Sequence, residues 1–160
     1  MGHDAAWQAL LHEAASERWL DLAALEAWGQ RLGALLPNGA VVALHGDLGA
    51  GKTTLVRAMA VGLGVADLDA VTSPTYALVH EYETALGPVL HADLYRVRRP
   101  EELEQLGWDD ALRAARAALV EWPEQVPGAL PADAWHVALA HVPARPDVRA
   151  VRVRGGPPRV

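Results

Sequence analysis

Nine consecutive residues, Gly46-Asp47-Leu48-Gly49-Ala50-Gly51-Lys52-Thr53-Thr54, combine the residue types that hold phosphate. Glycines let the backbone curl so that successive N–H groups point inward. A helix opening near Lys52 adds its positive N-terminal end. The Lys52 ammonium can reach between the β- and γ-phosphates, and the Thr53 hydroxyl suits magnesium. Thr54 is either a neighbouring phosphate contact or a solvated first-turn threonine. The spacing is Gly-x4-Gly-Lys-[Ser/Thr], the P-loop or Walker A pattern. Lys52 is the chain's only lysine; the other fixed cations are thirteen arginines. The bland alternative is a plain glycine-rich turn. The flanks favour the site, because the apolar run 40–44 precedes the motif and a helical pattern follows from Thr53.

A phosphate site of this kind needs a carboxylate at the C-terminal end of a neighbouring strand, beside the Thr53 hydroxyl. Two residues qualify. Asp93 ends Val89-Leu90-His91-Ala92-Asp93, and Glu121 ends Ala117-Ala118-Leu119-Val120-Glu121. The uninterrupted apolar run before Glu121 makes it the cleaner magnesium-side acid. Asp93 is then available to position or deprotonate an attacking water. Which acid does which task stays open at this level, and either could simply face solvent or cap a helix. Thr72-Ser73-Pro74-Thr75-Tyr76 sets hydroxyls on both sides of a stiff proline, which suits a loop that senses the γ-phosphate or a polar strand entry. Arg96 could reach phosphate or form a structural ion pair, whereas Arg98 and Arg99 read as surface charges. Trp122 could cover a nucleotide or pack beneath the loop, with packing favoured. His91 alternates with its neighbours along a strand and needs no metal to explain it.

The rest of the chain reads as an alternating α/β frame around these residues. Trp7, Leu10, Leu11 and Ala14 recur at helical spacing. A second helix is expected over 21–36, with Asp21 as its N-cap and Pro37-Asn38-Gly39 as its stop. Gly62 and Gly64 mark the end of the helix after the loop. Residues 71–82 read as extended. Pro100 suits the first turn of a helix through Leu106, and Asp109 is expected to cap another through about Arg116. The runs 135–140 and 149–153 read as terminal strands. The expected architecture is one α/β domain over 1–160: a core at about 20–153, an N-terminal extension at 1–15 and a flexible tail at 154–160.

Composition limits the rest. With 160 residues, half of them hydrophobic, the chain can bury a core. It has no cysteine, so disulfide and thiolate chemistry are excluded. A net charge of −6 argues against a broad nucleic-acid surface. The exception is 145–160, with five arginines against one aspartate, read here as a strand with solvated arginines and a frayed end. No apolar run approaches membrane-spanning length. Met1-Gly2-His3-Asp4 lacks a signal-peptide pattern and Ala6 breaks the myristoylation pattern, so a cytoplasmic location is expected.

Four segments in order, the 46–54 loop, Ser73-Pro74-Thr75-Tyr76, His91-Ala92-Asp93-Leu94-Tyr95-Arg96 and Val120-Glu121-Trp122-Pro123-Glu124, resemble the bacterial TsaE (YjeE) family over roughly residues 20–140. The resemblance implies a single-domain P-loop NTPase, a three-layer sandwich with a mixed, mostly parallel central sheet. It implies a magnesium-dependent ATPase of tRNA threonylcarbamoyladenosine modification that works with TsaD and TsaB and meets tRNA only through that complex. ATP hydrolysis would reset the transferase between turnovers. By position, Lys52 and Thr53 would bind phosphate and magnesium, Glu121 would be the Walker B acid and Asp93 would serve in hydrolysis. Ser73, Pro74 and Thr75 would form a switch-like loop, and Trp122 would lie near the nucleotide. The first fifteen or so residues and the arginine-rich tail depart from the family pattern.

Two other classes compete. A small P-loop kinase would need an acceptor pocket and a lid, and no lid-length insertion is evident. A nucleotide-gated binding module would hold ATP with negligible hydrolysis. A regulatory GTPase is disfavoured, since its Asn-Lys-x-Asp motif needs a second lysine.

Overall fold

The computed structural model describes residues 2–72 and 77–157. Its elements run α1 (Gly2–Ala15), β1 (Arg18–Asp21), α2 (Leu22–Leu35), β2 (Ala40–His45), α3 (Lys52–Leu63), β3 (Val79–Tyr82), β4 (Val89–Asp93), α4 (Glu101–Gln105), α5 (Trp108–Ala114), β5 (Ala117–Glu121), β6 (Trp135–His141) and β7 (Val148–Gly155). The seven strands form one sheet in the order β1-β7-β6-β2-β5-β4-β3. The four middle strands, β6, β2, β5 and β4, are mutually parallel. Both flanks are antiparallel, through β1–β7, β6–β7 and β3–β4. The expected mixed α/β sandwich is therefore present, with its parallel pairing confined to the centre.

Period-2 alternation divides the central strands between two apolar cores. Val42, Leu44, Leu119 and Val137 join Leu25, Trp28, Leu32, Leu55, Val56 and Met59 on the face covered by α2 and α3. Val41, Leu90, Ala118 and Val120 face the other way, against Leu103, Trp108 and Val126. The α2–α3 contact is close because glycine permits it. A Cβ on Gly33 would lie 2.1 Å from the Met59 carbonyl oxygen, and one on Gly62 would lie 2.1 Å from that of Gln30. α3, which begins at Lys52, is thereby held close against α2. The helical face Trp7, Leu10, Leu11 and Ala14 is buried in the same core, where Trp7 meets Trp135 edge-on at 5.2 Å.

Local signals explain most boundaries. The Asp21 side chain accepts the Ala24 N–H at 2.8 Å and caps α2. Gly64, left-handed at φ 79°, ends α3. Three expectations need correction. β1 was not anticipated, because in four residues only Leu20 is buried and no alternation can register. Asp109 does not cap α5; Gly107 is the N-cap, and Asp109 and Asp110 lie in the first turn beside the helix's positive end. Among the described residues of the expected extended segment 71–82, Val79–Tyr82 form a strand and Val71 closes a 3-10 turn over Leu68–Ala70, while 73–76 lie outside the described residues. Among the described residues, no helix is long and apolar enough to cross a membrane.

Candidate functional site

β2 delivers the chain from the sheet's centre into the loop 46–51, and α3 carries it away. Gly51 sits at φ 106° as the N-cap of α3 and makes no side-chain cap hydrogen bond. Among the described residues, no side chain caps the first N–H groups of α3, which is the arrangement that receives an anion. A cleft of about 770 Å³ opens there, lined by loop residues Leu48, Gly49, Gly51, Lys52, Thr53 and Thr54 and, facing them, Asp93, Glu121 and Trp122 among others. Gly46, Asp47 and Ala50 do not line it and act from behind. The Gly46 and Asp47 carbonyls accept from the Lys52 ammonium, the latter at 3.1 Å, and the Ala50 N–H closes a turn onto Asp47 at 3.0 Å. Ser73, Pro74 and Thr75 lie outside the described residues.

Lys52 is buried, with its ammonium 3.9 Å from the centre of the Trp122 ring, a cation–π contact. Burial lowers its pKa, while Glu121, Glu124, Asp93 and Asp47 pull it back up. An ammonium that has shed water yet keeps acidic neighbours suits exchange of its carbonyl partners for phosphate oxygens. Trp122 is the one non-glycine residue at positive φ among the described residues, at 56°. It rests on Tyr95, ring centres 4.8 Å apart, so it both packs and borders the cleft. Strain of this kind persists where surrounding contacts over-determine it.

The two carboxylates stand opposite one another in register, at the ends of β4 and β5. Glu121 is buried and accepts from the Thr53 hydroxyl, at 3.1 Å to Oε1 and 3.4 Å to Oε2. Asp93 is only half-buried, and its Oδ1 accepts the Tyr95 N–H at 3.0 Å. Lys52, Thr53, Glu121 and Asp93, drawn from three sequence segments, thus meet at one cleft. Arg96 also borders it, whereas Arg98 and Arg99 are exposed outside it.

A family model described as "Threonylcarbamoyl adenosine biosynthesis protein TsaE" matches residues 20–149. The chain belongs to the TsaE family. A TsaE protein of Synechocystis is 41% identical over 111 residues, covering 67% of this chain and 69% of that protein. One of Haemophilus influenzae is 50% identical over 91 residues, covering 57% of this chain and 56% of its own length. The crystal structure of Bacillus subtilis YdiB superposes with a TM-score of 0.68 at 25% identity, covering 88% of this chain and 86% of that one. This likeness extends past the family-matched region, whereas α1 precedes that region.

Several supporting residues of this TsaE-family chain escaped sequence reasoning. His91 is fully buried and bonds to Glu121 at 2.7 Å. Arg149, grouped at first with the solvated arginines of the tail, donates from Nε to the Ala50 carbonyl at 3.1 Å and braces the loop from β7. His45, at the end of β2, lies 2.8 Å from His136 and 3.5 Å from Glu124, behind the Trp122 turn. Burial lowers the pKa of both histidines, and Glu124 partly offsets this at His45. The usable signal for His91 was a polar residue inside the otherwise apolar strand 89–92.

Proposed function

We propose that this chain is a magnesium-dependent ATPase of tRNA threonylcarbamoyladenosine modification, hydrolysing ATP to reset a TsaB–TsaD transferase complex. The hydrogen bond from Thr53 to Glu121, made in the cleft that Lys52 also borders, is the observation that carries this reading. The donor set fits a magnesium nucleotide: a hydroxyl beside a carboxylate, one ammonium, and a helix start with no side-chain cap. Thr53 and Glu121 would hold the metal side, and Lys52 and the loop N–H groups would hold the phosphates. Bound magnesium supplies charge neutralisation at the phosphates. Asp93, on the strand beside Glu121, orients the attacking water and takes its proton. Trp122 covers the ammonium side and limits water there. Family membership supports the pathway, and TsaB and TsaD are the partners this proposal assigns within it.

The test is hydrolysis of magnesium ATP by the chain alone and with purified TsaB and TsaD, with no acceptor metabolite present. Slow turnover alone and a clear rise with the partners is the expected result. A rate indifferent to the partners, followed by phosphate transfer once an acceptor is added in a second assay, would replace this reading with a kinase. Nucleotide binding without hydrolysis in either condition would replace it with a nucleotide-gated binding module.

A further inference from the structure

Glu121 is gripped from behind. His91, one strand away on β4, has no solvent exposure and uses both ring nitrogens. Nε2 lies 2.7 Å from Glu121 Oε2, and Nδ1 lies 2.9 Å from the Tyr82 hydroxyl. A carboxylate only accepts, so Nε2 carries the proton toward it. In the neutral imidazole Nδ1 is then the acceptor, and the phenol donates to it. Tyr82, on β3, is itself buried. Burial pushes the Tyr82 pKa up to about 12, so the phenol keeps the proton it donates.

We propose that Tyr82 and His91 form a positioning relay that fixes the rotation of the Glu121 carboxylate so that it serves the magnesium side beside Thr53. The inference rests on the reading of Glu121 as the metal-side acid. Packing alone does not account for the arrangement. Val89, Leu90 and Ala92 show that β4 is otherwise apolar here, and a buried imidazole is costly unless both nitrogens are satisfied. The partner that satisfies Nε2 is the same carboxylate that accepts from Thr53. With Oε2 held by His91, Oε1 is the oxygen nearer the Thr53 hydroxyl. Without that hold the carboxylate can turn about its last torsion, and metal affinity falls while the phosphate cradle stays intact. His91 and Tyr82 act through Glu121 and touch no substrate, so they are positioning residues.

The experiment measures ADP affinity by calorimetry across a magnesium titration and in EDTA, for the wild type, His91→Leu, His91→Gln and Tyr82→Phe, with melting curves for each. In His91→Leu the magnesium concentration giving half of the nucleotide tightening should rise by about tenfold or more, as for other partners behind a metal ligand. Its affinity in EDTA should match wild type. His91→Gln, whose amide N–H can reach Glu121, should recover most of the shift. Tyr82→Phe should move the midpoint the same way by less. A folded His91→Leu with the wild-type magnesium midpoint overturns the relay and leaves the site reading intact. A wild type whose nucleotide affinity ignores magnesium overturns both. Should His91→Leu fail to fold, Tyr82→Phe decides, and a wild-type midpoint there overturns the relay.

Discussion

The ends of β4 and β5 carry acids in the same register, yet they are built differently. Glu121 is buried, shared between Thr53 in front and His91 behind. Asp93 is half-buried at the rim, where it holds the Tyr95 N–H and faces the cleft. β5 is central and buried at all five positions, flanked by parallel neighbours on both sides. β4 is followed by an antiparallel edge strand, and its last residue is less enclosed. Enclosure suits a carboxylate whose geometry must be fixed in advance, since low dielectric strengthens each bond it makes. Partial solvation suits one that must meet water. On the proposed reading the two strand ends divide the tasks of phosphate hydrolysis, the inner one held by Thr53 and His91.

The division breaks most visibly at the rim. Asp93→Ala should lower ATP turnover by about 10²–10⁴-fold, the range of a lost general base, while ATP affinity stays within a few-fold. A parallel loss of affinity in calorimetry would move Asp93 to the binding floor. Glu121→Ala should act the other way, raising the magnesium requirement at least about tenfold. It also strands the His91 N–H, at about 1–3 kcal/mol in chemical denaturation. An unchanged magnesium requirement in that variant would end the distinction between floor and rim.

A weaker perturbation reaches the floor through its support. Gly33→Ala places a methyl group 2.1 Å from the Met59 carbonyl of α3. Overpacking there should cost about 1–3 kcal/mol by denaturant melts. It should also disturb the floor, where α3 sets Thr53 under Glu121, more than Asp93. The smallest effect lies behind the Trp122 turn. Folding holds His45 and His136 below the ordinary imidazole pKa, chiefly by burial. As pH falls, the unfolded chain therefore takes up protons first. The stability tied to this pair is whole above about pH 6.5 and is lost as pH falls through the lowered folded values. His136→Gln should shrink the drop in Tm between about pH 7.5 and pH 5.5 relative to wild type, and an unchanged drop would show that the pair is not linked to folding.

Legibility in the sequence followed the range of the interaction. The loop 46–54 was readable because glycine, lysine and threonine act within nine residues, and both acids were readable as the ends of apolar runs. Asp21 announced its helix because a cap bonds three residues away. β1 was silent, since its pairing with β7 is set by a strand that begins at Val148. Roles that depend on strand order stayed hidden for the same reason. His91 meets Glu121 across thirty positions, and Arg149 meets Ala50 across ninety-nine. Both became visible only when register placed them together. Asp109 misled because an aspartate before a helical pattern reads as a cap, whereas Gly107 makes the turn into α5.

The most direct test of the account is calorimetric binding of magnesium ATP to the wild type and to Lys52→Ala. Wild type should bind one nucleotide, and Lys52→Ala, with melting behaviour retained, should lose most of that affinity. Equal affinity in the two would contradict the assignment of the 46–54 loop as the phosphate site.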